Sequence, residues 1–565
     1  MTETQPIHSG AAHYFRTLPK QWPHRLRSLR AMGLDTVETY LAWNVHEPAE
    51  GDWRRLDDIR RYLDAAAEQG LRVIVRPGPY ICAEWDNGGL PSWLTARAGR
   101  FVRTAHPVFF EPVQRYLDAV VPRFADHPAL SMVQVENEYG SFGTDADYLS
   151  ALAEGLRERG VTVPLVTSDG PTDVMLTGGM VPGVRATVNF GSNPAAAFAK
   201  LAEHRPDDDP FCMEFWNGWF DHWGSPRVTR GVASASAALS AILDAGASVN
   251  LYMAHGGTNF GTGAGANHHL VDGVDEFLPT VTSYDYDAPL DERGAPTEKF
   301  AAFRELFLAA RPEAELPALP ELPPLMPEQE VALSRSADVV FEELGAAPVP
   351  ASFEELGVDH GLVAYRLSIP GPRAPEPLEV RDVRDRAHVF VDGALLGIVE
   401  RGGDGMLPPV SGPADVTVLV ESMGRTNYGP RLGQHKGLGG VFHGIQQLNR
   451  IHHSVHRLPG EPPAAGSDAW TETAAAADAP RYYAGSAELA GQADGYLEVH
   501  GRKGYVWING FCLGRYWNRG PQQRLYVPWP VTRAGANEIV VLELDGLDRP
   551  AVTLHSAPDL GAAAG

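Results

Sequence analysis

The first half of the chain alternates short β-type runs with segments of helical periodicity, and this alternation limits the possible fold more than any other feature of the sequence. Trp22, Leu26 and Leu29, for example, fall at i, i+4 and i+7, which is typical of a helix with one buried face. Several β-type runs are continuously apolar or β-branched, as in parallel strands covered on both faces. The eight candidate strands are residues 7–15, 36–43, 71–76, 130–136, 163–168, 185–190, 211–215 and 248–254. The pattern predicts a (β/α)₈ barrel over residues 1–310, with a doubly wound sheet as the alternative.

The second half of the chain has a different pattern of residues. Residues 311–330, RPEAELPALPELPPLMPEQE, are so rich in proline that we interpret them as a linker. Beyond them lie short alternating strands, and two stretches resemble each other: HVFVDGALLG at 388–397 and YVWINGFCLG at 505–514. Each contains an Asp-Gly or Asn-Gly pair, which favours a tight hairpin. We therefore predict two all-β domains of jelly-roll type, at residues 331–458 and 459–565.

Charge and composition exclude several classes of partner. The net charge of −24 would repel nucleic acid and anionic membrane surfaces. The sequence has no uninterrupted apolar stretch near the roughly 18 residues that a membrane span needs. The first residues lack the basic start and apolar core of a secretory signal, so we expect a cytoplasmic protein. Cys82, Cys212 and Cys512 are odd in number and far apart, and we expect free thiols.

Two of the candidate strands end in carboxylates. VQVENEYG, residues 133–140, places Glu136, Asn137 and Glu138 after the fourth strand, and Glu214 ends the seventh among several aromatic residues. Reactive groups of a (β/α)₈ barrel gather at the carboxyl ends of its strands. Two carboxyl groups about 5 to 5.5 Å apart can cleave a glycosidic bond with retention of configuration. Only one of Glu136 and Glu138 should face a substrate unless the strand contains a bulge, and we predict Glu138.

Seven ordered motifs then point to a family. They are IHSGAAHYFR, TYLAWNVHEP, VRPGPYICAEWDNGGLPSWL, VQVENEYGSFG, MEFWNGWFDHWG, NLYMAHGGTNFG and SYDYDAPL. From about residue 7 to 300 the chain resembles glycoside hydrolase family 35, the β-galactosidases, and the resemblance continues more weakly into the β-domains, the second of which is galactose-binding-like.

The resemblance implies a role for each of eight residues. Glu138 would be the acid/base, Glu214 the nucleophile, and Asn137 the partner of the sugar's 2-hydroxyl. Tyr40, Ala83, Glu84 and Tyr286 match positions that hold galactose hydroxyls, and Trp219 matches an aromatic wall of the pocket.

Some residues carry simpler interpretations. Tyr40 and Tyr286 could be core tyrosines, and a strand-end glutamate is more often part of a structural ion pair. His268 and His269 follow a glycine-rich run, where we expect them to face solvent rather than bind a metal. Trp216 and Asn217 depart from the tyrosine and threonine that are common in the animal enzymes; we expect both beside the pocket, without effect on the two catalytic carboxylates.

The favoured function is that of a retaining exo-β-D-galactosidase acting on a small galactoside or oligosaccharide, without metal or organic cofactor. One alternative is an exo-β-D-glucosaminidase or another β-hexosidase of the same family. A second is a non-catalytic glycan-binding protein. Linkage preference and natural substrate are left open, as is the oligomeric state, for which a homo-oligomer is one option.

Overall fold

The N-terminal part of the protein is a closed barrel of eight parallel strands. The computed structural model describes residues 5–271, 274–464, 466–473 and 480–563. The barrel closes because the first strand pairs with both the second and the eighth; Ser9 lies opposite Thr36 on one side and Asn250 on the other. This confirms the (β/α)₈ prediction. The strands are β1 His8–Ala12, β2 Thr36–Tyr40, β3 Arg72–Arg76, β4 Leu130–Gln134, β5 Leu165–Asp169, β6 Arg185–Phe190, β7 Phe211–Trp216 and β8 Ser248–His255.

Helices surround the barrel, and the sequence explains where the first one ends and which face the last one buries. The first ends at Gly33, whose φ of 110° suits glycine, and the last buries Phe300, Phe303 and Phe307 at helical spacing. None of the helices in the described ranges is both long and apolar enough to span a membrane. The helices are α1 Trp22–Met32, α2 Trp43–His46, α3 Leu56–Glu68, α4 Ser92–Ala98, α5 Pro107–Val120, α6 Ala146–Glu158, α7 Asp173–Gly179, α8 Pro194–His204, α9 Val232–Asp244 and α10 Glu298–Ala310.

The interior of the barrel is filled by side chains. Ile74, Met132, Val166, Phe211 and Met213 form one buried cluster although they come from four different strands. Residues from strands that are not neighbours can meet in this way only inside the barrel. The interior is therefore a packed layer rather than a pore, and it supports the polar groups at the carboxyl ends of the strands.

A short sheet lies beside the barrel and is followed by an all-β region with two units, which confirms the predicted fold class. The short sheet has the order β10-β9-β18. The first unit contains the sheet β13-β21-β14-β17-β15-β16, and the second contains β22-β12-β23-β28-β25-β26 and β11-β29-β24-β27. The strands are β9 Ala266–Val271, β10 Val274–Pro279, β11 Gln329–Ala332, β12 Arg335–Asp338, β13 Glu342–Ala347, β14 Gly361–Arg381, β15 Arg386–Val391, β16 Ala394–Glu400, β17 Met406–Glu421, β18 Thr426–Tyr428, β19 Gly440–His443, β20 Gln446–Gln447, β21 Ile451–Arg457, β22 Thr471–Glu472, β23 Arg481–Leu489, β24 Gly495–Gly501, β25 Lys503–Ile508, β26 Phe511–Trp517, β27 Leu525–Val527, β28 Gly535–Glu543 and β29 Leu547–His555.

The two similar stretches are both hairpins. Asp392 and Gly393 have φ of 49° and 82°, and Asn509 and Gly510 have φ of 48° and 81°. Positive φ at both central residues is the requirement of the tight turn that matches the twist of the flanking strands. The dipeptides therefore predicted these two turns correctly.

One boundary differs from the sequence prediction. Strands β11 and β12 lie before the first β unit in the sequence but pair with β29 and β23 of the second. Val331 and Leu333 are buried in the core of that second unit. Residues 331–338 therefore belong by pairing to the second unit and not to a domain that starts at residue 331, because the chain enters one sheet before it builds the other.

Candidate active site

A cavity of about 260 Å³ lies at the carboxyl ends of the barrel strands. Ligand cavities typically span about 300 to 1,000 Å³, so this one is small and suits a single terminal sugar. The structure brings all eight of the predicted site residues to its wall: Tyr40, Ala83, Glu84, Asn137, Glu138, Glu214, Trp219 and Tyr286.

Glu214 lies within β7 and is held by three donors. Its Oε1 accepts hydrogen bonds from Tyr40 Oη at 3.0 Å and Arg76 Nη2 at 2.6 Å, while Oε2 accepts one from Trp216 Nε1 at 3.2 Å. Donors of this kind, one of them a cation, fix the orientation of the carboxylate. The expectation that Trp216 has no effect on the carboxylates is therefore wrong. Asn217 is buried instead against the backbone, where its Nδ2 donates to Met253 O at 3.0 Å.

Glu138 lines the same cavity in a different environment. Its Oε1 accepts one hydrogen bond, from Asn189 Nδ2 at 3.0 Å. Burial raises the pKa of Glu138 from its ordinary value to about 8, and the negative charge of Glu214 contributes in the same direction. The Glu138 carboxyl therefore keeps its proton at neutral pH, as a general acid must.

Glu136 is a structural residue. It is buried, and its two oxygens accept from Arg103 Nε at 2.9 Å and Arg103 Nη2 at 2.7 Å, with Tyr148 Oη at 3.1 Å as a further donor. The structure therefore places Glu138 and not Glu136 at the cavity. A regular strand would turn residues two apart to the same face. Glu136 and Glu138 differ because β4 ends at Gln134 and both have left-handed backbone, with φ of 58° and 46°.

Asn137 lies between the two glutamates. Its Oδ1 accepts from Tyr40 Oη at 2.9 Å, from Arg76 Nη2 at 2.5 Å and from Gln134 Nε2 at 3.3 Å. Because these donors converge on the amide oxygen, the amide NH₂ is the group that can donate to a ligand hydroxyl.

A strained turn forms another wall of the cavity. Cys82, Ala83 and Glu84 have consecutive φ values of 56°, 58° and 51°. Left-handed backbone at three successive non-glycine residues is uncommon and occurs where the surroundings enforce it. The Ala83 carbonyl accepts a hydrogen bond from Arg16, and Glu84 Oε2 accepts one from Tyr284 Oη at 2.5 Å. Burial raises the pKa of Glu84 to about 7.

Aromatic residues form the rim. Trp219 is 36% exposed, whereas Tyr286 is buried, and their ring centroids lie 6.2 Å apart. Trp216 packs edge-on against Trp219 at 5.5 Å. The exposed face of Trp219 is therefore held in place and available to stack on the apolar face of a sugar ring.

Part of the cavity comes from segments that the sequence did not predict. Tyr428 of β18 lines it together with Asn267 and His269 of β9. The two strands pair in parallel, with Tyr428 opposite Asn267. Both His268 and His269 lie in β9. The expectation that they face solvent is wrong for His268, which is fully buried, whereas His269 is partly exposed and lines the cavity. The glycine-rich run ends at Gly265, and the chain then enters a strand instead of continuing as a loop.

The first β unit contacts the segment that directly follows the strained turn. Arg425 N donates to Asp86 Oδ1 at 2.6 Å, and the Arg425 guanidinium lies 3.1 Å from Glu354 and 3.3 Å from Asp359. His360 Nε2 is 3.2 Å from Asp86 Oδ2. Asp86, Asp359 and His360 are close enough to one another to hold a cation, and Arg425 already supplies a positive charge there. The barrel and the first β unit together therefore shape the cavity.

A larger groove of about 1030 Å³ lies on the first β unit. Its wall contains Arg366, Arg373 and His452 but only one carboxylate, Asp415. A pair of carboxylates is needed for hydrolysis of a glycosidic bond, so the chemistry belongs to the smaller cavity in the barrel.

Comparisons with known proteins agree with this geometry. Residues 2–310 match the model of "Glycosyl hydrolases family 35", and residues 350–453 and 480–537 match "Beta-galactosidase, first all-beta domain" and "Beta-galactosidase, galactose-binding domain". A "Beta-galactosidase" of Xanthomonas manihotis is 40% identical over 92% of this chain and 88% of its own length. The human "Beta-galactosidase" is 36% identical over 98% of this chain and 88% of its own length, and the human "Beta-galactosidase-1-like protein 2" is 36% identical over 98% and 89%.

Proposed function

Since the chain belongs to glycosyl hydrolase family 35, we propose that it is a retaining exo-β-D-galactosidase, which removes terminal β-linked galactose from small galactosides or oligosaccharides. The observation that carries this proposal is the contrast between two carboxyl groups at one cavity. Glu214 is held in place by three donors, one of them the Arg76 cation, whereas burial and the neighbouring charge keep a proton on Glu138. Relatives 36 to 40% identical over most of the chain are named β-galactosidases.

The two carboxyl groups divide the reaction between them. A Glu214 oxygen forms a bond to the anomeric carbon as the glycosidic C–O bond breaks, and the Glu138 proton passes to the departing oxygen. Glu138, now ionised, then takes a proton from water, whose oxygen attacks the anomeric carbon and releases Glu214. Two inversions at one carbon leave the β configuration unchanged, and the released sugar is β-galactose.

Neighbouring groups position the reactants. Tyr40 and Arg76 each contact both Glu214 and Asn137, so the nucleophile and the amide next to the acid are held by the same two donors. The Asn137 NH₂ is the candidate donor to the sugar's 2-hydroxyl, a contact that strengthens in the transition state. Ala83, Glu84 and Tyr286 are candidates to hold other hydroxyls, and Trp219 to stack on the ring.

The protonation state of Glu138 predicts how kcat/KM falls on the alkaline side of the pH profile. With a galactoside that has a poor leaving group, kcat/KM should fall as pH rises through about 8, because the general acid loses its proton there. Initial rates between pH 5 and 10 at substrate concentrations well below KM measure this limb. An alkaline limb centred below pH 6 would contradict the assignment of Glu138.

The identity of the sugar is tested separately with a panel of chromogenic β-glycosides. We expect the β-galactoside to be hydrolysed at least about tenfold faster, in kcat/KM, than the β-glucosaminide or β-glucoside, which corresponds to about 1.4 kcal/mol of transition-state discrimination. Faster release from the glucosaminide would favour an exo-glucosaminidase. Binding of galactose without hydrolysis of any member would favour a glycan-binding protein.

Other features stay predictions. They are the jelly-roll topology of the β units, the cytoplasmic location and the option of a homo-oligomer.

A further inference from the structure

Another buried glutamate, Glu38, lies near the same arginine as the nucleophile. Glu38 is two residues before Tyr40 on β2, so both side chains point to the same face of the strand. The Glu38 side chain is fully buried; its Oε2 lies 3.8 Å from Arg76 Nη1 and accepts a hydrogen bond from Asn250 Nδ2 at 3.3 Å. Its Oε1 has no hydrogen-bond partner within the described part of the chain.

Arg76 is shared unequally between two carboxyl groups. Its Nη2 lies 2.6 Å from Glu214 Oε1, whereas its Nη1 is 3.8 Å from Glu38 and donates no hydrogen bond to any described residue. One guanidinium can balance one negative charge. An ionised Glu38 would therefore leave an uncompensated buried charge, with one oxygen unsolvated, unless Arg76 turned toward it and away from Glu214.

The other groups around Glu38 do not remove this competition. Asn250 of β8 and the Tyr40 hydroxyl are uncharged, and the Tyr40 hydroxyl donates to Glu214 and Asn137. The Tyr62 hydroxyl of α3 donates to Ala12 O at 2.6 Å. Among the residues that the structure describes, the charged groups that act on Glu38 are thus Arg76 on β3 and Glu214 on β7.

We propose that Glu38 is a positioning residue that acts through Arg76. In the working enzyme Glu38 carries a proton, so Arg76 stays paired with Glu214. When Glu38 ionises, it competes for Arg76 and weakens the contact between Arg76 and the nucleophile. The kinetic part of this inference rests on the proposed function. Independent support comes from burial, which raises the pKa of Glu38 to about 7, with the negative charge of Glu214 acting in the same direction and Arg76 against it.

Thermal unfolding tests the protonation state without reference to activity. A carboxyl whose pKa is raised on folding binds more protons in the folded state, so its contribution to stability falls as pH rises from about 4.5 to about 7. Glu38→Gln cannot ionise and escapes this loss. We therefore expect the melting temperature of Glu38→Gln minus that of wild type to rise by roughly 2–5 °C between pH 5 and pH 8.

Glu136→Gln is the matched control, because Glu136 is equally buried but fully paired with Arg103. The difference by which the melting temperature of Glu136→Gln lies below that of wild type should not shrink as pH rises. Glu38→Met, also neutral and of similar length, should follow Glu38→Gln and serves if the glutamine variant does not fold. A difference for Glu38→Gln that is constant or falls with pH, or an equal rise for Glu136→Gln, would overturn the proposal.

Kinetics separate positioning from a purely structural role. With a galactoside that has a good leaving group, which needs little help from Glu138, kcat/KM of Glu38→Gln relative to wild type should increase by roughly three- to tenfold between pH 6 and pH 8.5. A residue that only supports the fold would change kcat/KM by the same factor at every pH, and that result would contradict the role. Because the melting curves do not depend on catalysis, failure of this inference and failure of the proposed function can be told apart.

Discussion

Replacement of Glu214 by glutamine is expected to reduce kcat at least about 10⁴-fold, even with a galactoside that has an excellent leaving group. The amide has nearly the same shape but cannot form the galactosyl-enzyme. The magnitude follows from the loss of a covalent nucleophile, which typically costs several orders of magnitude. Steady-state and burst kinetics with chromogenic galactosides measure it.

The control for Glu214→Gln is Glu203→Gln, a carboxyl-to-amide change in α8 at a side chain that is 61% exposed. That variant should keep wild-type rates, since Glu203 is outside the cavity. Melting temperatures of both variants separate chemical loss from unfolding. Retention of more than about 1% of wild-type kcat in a folded Glu214→Gln protein would contradict the assignment of the nucleophile.

Replacement of Glu138 by glutamine is expected to give a loss that depends on the leaving group. For an alkyl galactoside or a disaccharide, kcat/KM should fall about 10³-fold or more, because the departing oxygen must be protonated. For a galactoside with an acidic leaving group, the first step needs little protonation, and the loss in kcat/KM should be within about tenfold. The alkaline limb assigned to Glu138 should also disappear.

A small anion provides the matching control for Glu138→Gln. Azide needs no general base, so it should attack the galactosyl-enzyme, restore turnover of the activated substrate and give a β-galactosyl azide. Equal loss on good and poor leaving groups, or an azide product of α configuration, would contradict the acid/base role of Glu138.

The barrel could be predicted well from the sequence because its signals are local. The run at 185–190 coincides with β6, and the other seven strands begin and end within a few residues of the predicted runs. The boundary between the β units was predicted less well, since the sheet that residues 329–338 join is decided by partners more than 130 residues away. A short alternating run carries no information about which sheet it will enter.

The site shows the same division between local and long-range signals. Glu138 and Glu214 lie in contiguous motifs at strand ends, and both reach the cavity. Arg76 had a local signal that the sequence interpretation missed: it is a charged residue at the end of the apolar run VIV and directly before PGPY. Tyr428 had none, because it reaches the cavity only through pairing of β18 with β9, 160 residues earlier.

Covalent trapping tests the central claim most directly. A galactoside with fluorine at carbon 2 and a good leaving group slows both steps by destabilising the positively charged transition state, yet the first step still proceeds, so the galactosyl-enzyme accumulates. Proteolysis and mass spectrometry then locate the added sugar. The account predicts one fluorogalactosyl group, bound to Glu214 within the peptide that contains MEFWNGWF. A label on any other carboxylate, or an inactivated enzyme without a label, would contradict it.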